Sequence, residues 1–435
     1  MKLSYYLIES PLERGGLLLA STKTESYFAL DRELADNFFN FKESMNLDDL
    51  DLELKELLIE FGMLIEKNRS EYNTITEEHW SQRFNGSSIL NITLATTLGC
   101  NLRCGYCFEQ NKQSINLSMA DEESIFKFVS SQLNDSKDGM QITWFGGEPL
   151  LGIKSIERLS KRFLQLSTFR GKSYSADIIT NGVLMTHQNA KILKKALLSS
   201  VQITIDGVKE IHDKMRPAPN RGSYDDVIKG VMVSKEYFNT TIRINLNHHN
   251  VNSIPKLFED LAKLELFDIS FYFAPIFLND TSLDMSSYLT REEFAKTQLE
   301  LSQLAVNMGF DVAKVFGVSE SNLPCTALDP SHYTIEPKGY LHKCVDFLGD
   351  YKNTIGKIKD GEIDSINSNN LWKNYDIFSF TNIAEEDDCG NCKFLPLCYG
   401  GCPKNRMNGN DKHKYICTPL RFNLMDMLKL ELDVV

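Results

Sequence analysis

The sequence predicts an α/β fold in which a partial (β/α)6 barrel is flanked by two smaller regions. Strands and helices alternate six times between residues 89 and 275, which is typical of a parallel β/α repeat. Residues 1–85 show shorter apolar stretches, and seven of the ten cysteines lie beyond residue 324. We therefore predict a small N-terminal α+β domain over residues 1–85, the barrel over 86–320 and a cysteine-rich domain over 321–435.

In the N-terminal region, short apolar stretches separated by turn residues predict an antiparallel sheet with strands at 5–9, 16–21 and 26–30. Apolar residues at helical spacing predict helices within 34–41 and 47–61. Residues 62–65 predict a last strand or wing. The polar run 67–76 is expected to be a linker to the barrel.

In the barrel region, the predicted strands are 89–96, 141–145, 175–180, 201–205, 241–246 and 269–273. Helices are predicted between them at 121–133, 156–166, 187–198 and 253–264. Most strands are followed by polar residues, and the loops at those strand ends build the reactive face of β/α barrels. Further on, the sequence predicts a helix at 291–308, a hairpin over 333–341 and a last helix at 419–432.

Length and composition narrow the class of protein. The 435 residues are 42% apolar and 24% charged, which is typical of a soluble globular chain with two or three domains. We expect a cytoplasmic protein without membrane association, because the chain has neither an apolar run of spanning length nor a secretory signal. The net charge of −12 disfavours nucleic acid as a partner.

The most informative motif is C-x3-C-x2-C, formed by Cys100, Cys104 and Cys107 after the first barrel strand. Three thiolates on one short loop suit three corners of an iron–sulfur cluster and leave the fourth iron open to a small molecule. Zinc is the alternative, but a structural zinc site needs four ligands, and no further cysteine or histidine follows nearby. Disulfides are disfavoured in a reducing compartment.

This loop resembles the cysteine motif of the radical S-adenosylmethionine (SAM) superfamily, with Tyr106 at the aromatic position before the last cysteine. The resemblance implies a partial TIM-like barrel and a 4Fe–4S cluster on the three thiolates. It also implies that SAM chelates the open iron and is cleaved to a 5′-deoxyadenosyl radical.

Further segments resemble the cofactor-binding motifs of that family. Gly146-Gly147-Glu148-Pro149 resembles the segment that holds the methionine amino group, although the tetrapeptide alone also suits a plain turn. Residues 180–182 and 204–207 resemble the positions for the ribose and carboxylate of SAM. Arg216 is expected to pair with that carboxylate, with a surface ion pair as the alternative. His212 is interpreted as a core or capping residue. The predicted cofactor-binding residues are Tyr106, Gly146, Gly147, Glu148, Pro149, Thr180, Asn181, Thr204 and Arg216.

The remaining cysteines resemble the SPASM domain pattern, C-x13-G-x4-C, then C-x2-C-x5-C-x3-C, then a last cysteine. The resemblance implies two auxiliary 4Fe–4S clusters, for a total of three. Two full clusters need eight ligands, so one auxiliary cluster lacks a thiolate, and solvent, another side chain or a substrate atom would fill the place. A zinc ribbon is the alternative. The implied ligands are Cys325, Cys344 and Cys402 for the first cluster and Cys389, Cys392, Cys398 and Cys417 for the second.

The N-terminal region resembles the winged-helix domains that bind the leader of a precursor peptide as an added strand. These resemblances imply an enzyme that crosslinks a ribosomally made peptide through a thioether, C–C or C–O bond. The expected partners are that peptide with its leader and an electron donor such as flavodoxin or ferredoxin.

Two alternatives stay open. One is an anaerobic sulfatase-maturing, formylglycine-generating enzyme, although there an aspartate directly follows the cysteine that matches Cys344, whereas here Val345 intervenes before Asp346. The other is an electron-transfer iron–sulfur protein. The catalytic base is left unassigned.

Overall fold

The computed structural model describes residues 1–109, 114–276, 285–311, 325–364, 389–407 and 411–434. Within these ranges a ten-stranded sheet forms the centre of the molecule, and two smaller sheets belong to the N-terminal region.

The N-terminal region contains the antiparallel three-stranded sheet that the sequence predicts. The strands pair in the order β2-β3-β4, and the short strands β1 and β5 pair with each other. The elements are β1 (Lys2–Leu3), β2 (Leu7–Pro11), β3 (Leu17–Ser21), β4 (Ser26–Leu30), α1 (Arg32–Ser44), α2 (Leu52–Glu60) and β5 (Leu64–Ile65).

Strand β3 is buried on both faces. One face packs with α1 and α2 around Phe38 and Leu54. The other face presents Leu18 and Ala20 to apolar residues near the C-terminus, among them Leu424. The N-terminal sheet therefore lies between its own helices and the C-terminal part of the chain.

The predicted linker at 67–76 is wrong over most of its length, because helix α3 (Glu71–Asn85) begins there. Ser70 caps the helix by accepting a hydrogen bond from the amide of Asn73. The carboxylate of Glu71 accepts hydrogen bonds from the Ser4 hydroxyl at 2.6 Å and the Tyr5 amide at 2.8 Å. The polar composition predicts exposure to solvent, whereas Glu71 is buried and hydrogen-bonded inside the protein.

The central sheet begins with six parallel strands in chain order, as predicted. The partial TIM-like barrel form of this β/α repeat stays a prediction. The strands are β6 (Ile89–Ala95), β7 (Gly139–Phe145), β8 (Ser173–Thr180), β9 (Leu198–Thr204), β10 (Asn239–Leu246) and β11 (Ser270–Pro275). The helices are α4 (Met119–Gln132), α5 (Ile153–Arg170), α6 (His187–Lys195), α7 (Lys209–Met215), α8 (Tyr224–Lys235), α9 (Ile254–Lys263) and α10 (Arg291–Asn307).

The two faces of these strands differ in polarity because side chains alternate along a strand. Ile92, Ile142 and Trp144 are buried in the main apolar core with helix residues such as Phe128. The opposite face carries polar side chains: Gln202 accepts a 2.7 Å hydrogen bond from the Tyr272 hydroxyl, and Arg243 donates to Asn245 at 2.8 Å.

Four strands from the cysteine-rich region extend the same sheet. Strand β12 (His332–Ile335) pairs in parallel with β6, and β13 (Tyr340–His342), β14 (Gly356–Lys359) and β15 (Glu362–Asp364) follow antiparallel. The predicted hairpin over 333–341 is confirmed. Its pairing with β6 was not predicted, and it places the cysteine-rich region against the strand that leads to the first cysteine loop.

The last helices are α11 (Leu395–Cys398), α12 (Pro403–Met407) and α13 (Leu420–Val434), the last close to its predicted place. Asn423 on α13 donates to the carbonyl of Ala295 on α10 at 2.9 Å. None of the helices in the described ranges is both long and apolar enough for a membrane crossing.

Candidate active site

A cavity of about 400 Å³ opens at the carboxyl ends of β6 to β11. Seven of the nine residues predicted to bind a cofactor line it, together with the three cysteines of the first motif. The predicted residues that line it are Cys100, Cys104, Tyr106, Cys107, Gly146, Gly147, Thr180, Asn181, Thr204 and Arg216.

The cysteine loop is held by its backbone and by contacts to its sulfur atoms. The amide of Gly105 donates to the carbonyl of Met215 at 3.3 Å, which ties the loop to the segment after β9. The sulfur of Cys100 accepts from the amide of Leu102 at 3.4 Å and from the side-chain amide of Asn181 at 3.8 Å. N–H donors of this kind stabilise a thiolate, so the loop is arranged for thiolate ligands.

The donor set of the first motif suits an iron–sulfur cluster. Cys100, Cys104 and Cys107 all line the cavity, and thiolates are the usual ligands of a 4Fe–4S cluster. In the described part of the chain, no three or more Cys, His, Asp or Glu side chains gather closely enough to hold one metal ion.

Gly146 and Gly147 are glycines because they lie against the cysteine loop. Gly146 has a φ of +125°, and a Cβ atom there would lie 2.2 Å from the carbonyl oxygen of Thr97. At Gly147 a Cβ atom would lie 2.3 Å from the carbonyl oxygen of Gly99. A side chain at either position would push the two loops apart, so the glycines set the shape of the cavity.

Glu148 is fully buried and joins two loops below the cavity. One oxygen accepts from the Thr180 hydroxyl at 2.6 Å and the Leu150 amide at 3.0 Å, and the other accepts from the Asn181 amide at 2.8 Å. Burial raises the pKa of Glu148, although these hydrogen bonds oppose the shift. Neither Glu148 nor Pro149 lines the cavity, so the predicted contact of Glu148 with an amino group is not preformed and stays a prediction.

Tyr106 and Arg216 meet a buried aspartate that the sequence analysis did not single out as a site residue. The Tyr106 hydroxyl donates to Asp206 and accepts from Arg216, whose Nη1 lies 3.6 Å from Asp206 Oδ2. Asn245 donates to Asp206 Oδ1 through its amide and its side chain, both at 3.1 Å. In the sequence Asp206 belongs to the strand-end motif 204–207 but has no assigned role there. No motif in the sequence points to Asn245.

Charges around Arg216 keep it cationic. Burial opposes its charge, but Cys104, Tyr106 and Asp206 raise the pKa of Arg216 well above its ordinary value. Its Nε atom is buried and makes no hydrogen bond within the described residues. A cation that lines the cavity with a donor still available fits the carboxylate of a ligand.

His212 is a buried core residue, in agreement with its interpretation from the sequence. Its Nδ1 accepts from the Asp206 amide at 3.3 Å. Burial, and then the charge of Arg216, lower the pKa of His212 to about 3, so the ring is neutral and positions the loop.

The cysteines of the C-terminal region lie in two groups, and none of the ten cysteines forms a disulfide. Cys344 interacts electrostatically with Cys325 and Cys402, whereas Cys398 interacts with Cys389, Cys392 and Cys417. These are the two sets that the SPASM resemblance implies. Burial raises the pKa of Cys325 to about 11 and of Cys398 to about 12, so these thiols are protonated unless a metal replaces the proton.

The cysteine-rich region also contributes Val345 and Asp346 to the cavity wall. Asp346 Oδ2 lies 3.4 Å from Lys404 Nζ. In the sequence Asp346 stands out only as an aspartate displaced by one residue, because its approach to the cavity depends on the pairing of β12 with β6.

Comparisons with known proteins agree with this geometry. The family model of the radical SAM superfamily matches residues 94–261. The cysteine-type anaerobic sulfatase-maturating enzyme of Clostridium novyi (strain NT) is 25% identical over 327 residues, which cover 71% of this chain and 86% of that protein.

Two solved structures share the fold. Native anSMEcpe with bound AdoMet aligns with a TM-score of 0.62 at 18% identity and covers 79% of this chain and 100% of its own. Streptococcus suis SuiB bound to precursor peptide SuiA aligns with a TM-score of 0.51 at 16% identity and covers 96% of this chain and 99% of its own. The family match contains the first cysteine motif and every predicted cofactor-binding residue, so residues 94–261 of this chain match the radical SAM superfamily.

Proposed function

We propose that this chain modifies a ribosomally made precursor peptide by closing an intramolecular thioether, C–C or C–O crosslink. The observation that carries the proposal is the composition of the cavity wall. The cysteine loop and Arg216 line it from the barrel, while Val345 and Asp346 line it from the cysteine-rich region. A substrate in this cavity would touch both predicted iron–sulfur regions.

The match of residues 94–261 to the radical SAM superfamily implies SAM and a 4Fe–4S cluster as cofactors, and we assign the cluster to Cys100, Cys104 and Cys107. When bound, they supply the electron and the 5′-deoxyadenosyl radical that abstracts a hydrogen atom from the peptide. In this assignment Arg216 binds the carboxylate of SAM, and Thr204, Thr180 and Asn181 line the same wall. The buried Asp206 fixes the position of Arg216.

The polar strand face below the cofactor residues suits a peptide. Thr93, Thr143, Gln202 and Arg243 line the cavity there. Hydroxyl, amide and guanidinium groups can satisfy the backbone N–H and C=O groups of an extended chain, which are costly to bury without partners.

Residues 1–85 are proposed to bind the leader of the precursor. Within the described residues, β4 has β3 as its strand partner and forms one edge of the sheet. An extended peptide can add to such an edge through main-chain hydrogen bonds. The anSMEcpe structure covers 79% of this chain and the peptide-bound SuiB structure covers 96%, so the part without a counterpart in anSMEcpe is about as long as this region.

Residues 321–435 are proposed to form a SPASM domain that holds two auxiliary 4Fe–4S clusters, with the cysteine sets given above. Each crosslink removes two hydrogen atoms and therefore oxidises the peptide, and the auxiliary clusters are the proposed route for the released electron. Flavodoxin or ferredoxin is the proposed class of reducing partner.

Sulfatase maturation remains a second candidate. The C. novyi relative carries that name, and Asp346 lines the cavity although Val345 separates it from Cys344. The one-residue displacement therefore weakens this candidate less than the sequence suggested. A pure electron carrier is disfavoured because it would need no cavity beside the first cluster.

The test begins with the anaerobically reconstituted chain, reduced in the presence of SAM. We expect 5′-deoxyadenosine, and we expect none when Cys100, Cys104 and Cys107 are replaced by alanine. An electron carrier would give no product in either protein.

Short peptides encoded beside the gene then separate the two enzyme candidates. A crosslink lowers the peptide mass by two hydrogens and gives no reaction with a hydrazide probe. Formylglycine reacts with hydrazide, and that outcome would replace the crosslink proposal.

A further inference from the structure

Asp346 lies where the cysteine-rich region meets the barrel cavity. It is two residues after Cys344, within the tight turn Val345–Phe347. The amide of Asp346 donates a hydrogen bond to the Cys344 sulfur, and the amide of Phe347 donates to the Cys344 carbonyl at 3.2 Å. The turn holds the backbone of Asp346 against the Cys344 sulfur, and the charge of the Asp346 carboxylate acts on that thiol.

A second contact brings the carboxylate close to Cys402. Lys404 Nζ lies 3.4 Å from Asp346 Oδ2, and the amide of Lys404 donates to the Cys402 sulfur. Since Lys404 is two residues after Cys402, the ion pair joins the loop of Cys402 to the turn of Cys344. The lysine also lies over the ring of Phe347, 5.2 Å from its centroid, which holds its orientation.

Cys325 completes the group. Cys325 and Cys344 pack against the same two buried side chains, Leu328 and Phe347. The charge of Asp346 acts on all three thiols and adds to the effect of burial in raising the pKa of Cys325, Cys344 and Cys402. The three thiols therefore lie within electrostatic reach of one carboxylate, and that carboxylate lines the cavity.

We propose that a carboxylate oxygen of Asp346 is the fourth protein ligand of the cluster that Cys325, Cys344 and Cys402 hold. Three thiolates leave one iron of a four-iron cluster without a protein ligand, and a carboxylate is an established iron ligand. Lys404 then stabilises the second carboxylate oxygen. This inference rests on the auxiliary clusters of the proposed function and names the side chain that completes one of them.

The test uses the full chain with Cys100, Cys104 and Cys107 replaced by alanine, so that EPR spectra report the auxiliary clusters alone. The anaerobically reconstituted, dithionite-reduced protein is measured with and without added L-cysteine as a probe for an open iron. We expect no change with Asp346 present and a clear spectral shift in Asp346→Ala. In Asp346→Cys a thiolate fills the position, and the response to L-cysteine should again be absent.

Asp350→Ala is the matched control. Its carboxylate accepts from the Lys352 amide at 3.0 Å and from Asn353 at 2.7 Å, so the change removes a nearby charge without touching the thiol group. It should behave like the parent. Loss of about half the iron in Asp346→Ala, but not in Asp346→Cys or Asp350→Ala, also supports the assignment.

The proposal is overturned if the parent responds to L-cysteine as Asp346→Ala does, or if Asp346→Ala cannot be distinguished from the parent. Iron analysis of the parent separates this failure from that of its premise. About eight irons per chain are expected from two auxiliary clusters, and about four or fewer would refute the auxiliary pair itself.

Discussion

Replacing Arg216 with methionine would test the buried network beside the cysteine loop. The Arg216 side chain is 10% exposed, and Asp206, 3.6 Å away, is fully buried. Methionine keeps much of the volume but leaves the Asp206 carboxylate without a cation. Removing one partner of a buried ion pair typically costs about 3–5 kcal/mol of folding free energy.

The hydrogen bonds that Asp206 keeps in Arg216→Met place the expected loss of folding free energy at the lower end of that range. Asp206 still accepts from the Tyr106 hydroxyl and from two donors of Asn245, so we expect a loss near about 3 kcal/mol. The double variant Arg216→Met/Asp206→Asn removes the uncompensated charge and keeps an acceptor for Asn245. It should regain most of the lost stability, as measured by urea denaturation of the apo chain.

SAM affinity should follow a different pattern from stability. A hydrogen bond between charged groups contributes about 1.5–3 kcal/mol, which corresponds to roughly a 10- to 150-fold change in Kd. Both the single and the double variant lack the guanidinium, so both should bind SAM that much more weakly in equilibrium dialysis of the reconstituted protein.

Two results would refute this reasoning. If the double variant is as unstable as the single one, the charge of Asp206 is not the cause of the loss. If the stable double variant binds SAM with the affinity of the natural chain, Arg216 does not bind the carboxylate of SAM.

Three further predictions concern other parts of the molecule. The folded-state pKa of His212, about 3, lies below its ordinary value of 6.5, so unfolding takes up a proton between these values and stability falls as pH falls through that window. His212→Asn should flatten the dependence of urea midpoints on pH between 6.5 and 4, whereas His187→Asn, with a side chain 56% exposed, should not. Gly146→Ala should lower iron incorporation, since its Cβ would lie 2.2 Å from a carbonyl oxygen, whereas Gly171→Ala, also at positive φ but in open space, should incorporate iron normally. Leu18→Ala should cost about 2–5 kcal/mol in urea denaturation, because Leu18 is fully buried between the N-terminal sheet and the C-terminal region; an unchanged midpoint would contradict that packing.

The sequence was most informative where the chemistry is local. Short apolar runs between helical segments predicted all six parallel strands. A strand that packs under helices needs apolar residues whichever strands pair with it. At residues 67–76 the polar composition predicted a linker, whereas a helix begins at Glu71. Glu71 is buried there because it accepts hydrogen bonds from Ser4 and Tyr5, which are distant in the sequence. Composition cannot reveal a partner that only the fold supplies.

The candidate site likewise contains residues that local sequence patterns predict and residues that only long-range contacts bring into place. Cysteine spacing predicted three neighbouring thiols after β6, because ligands on one loop follow one another at short range, and Cys100, Cys104 and Cys107 do line one cavity. Asp206 and Asp346 gained their roles through contacts to residues on other elements, Asp206 with Arg216 and Asp346 with Lys404. Such pairs leave no periodic or spacing pattern in a single sequence.

The pairing of β12 with β6 explains how Asp346, two residues after Cys344, comes to line the same cavity as the first cysteine motif. Strand β6 leads directly into the loop of Cys100, and β12 with β13 leads directly to Cys344. Four residue pairs, from His332 opposite Asn91 to Ile335 opposite Leu94, fix the register of β12 against β6. A shift of the register by one residue would move every β12 side chain to the other face, so such a shift is disfavoured. A continuous sheet therefore sets the distance between the loop of Cys100 and the turn after Cys344. Asp346 lies in that turn and lines the cavity for this reason.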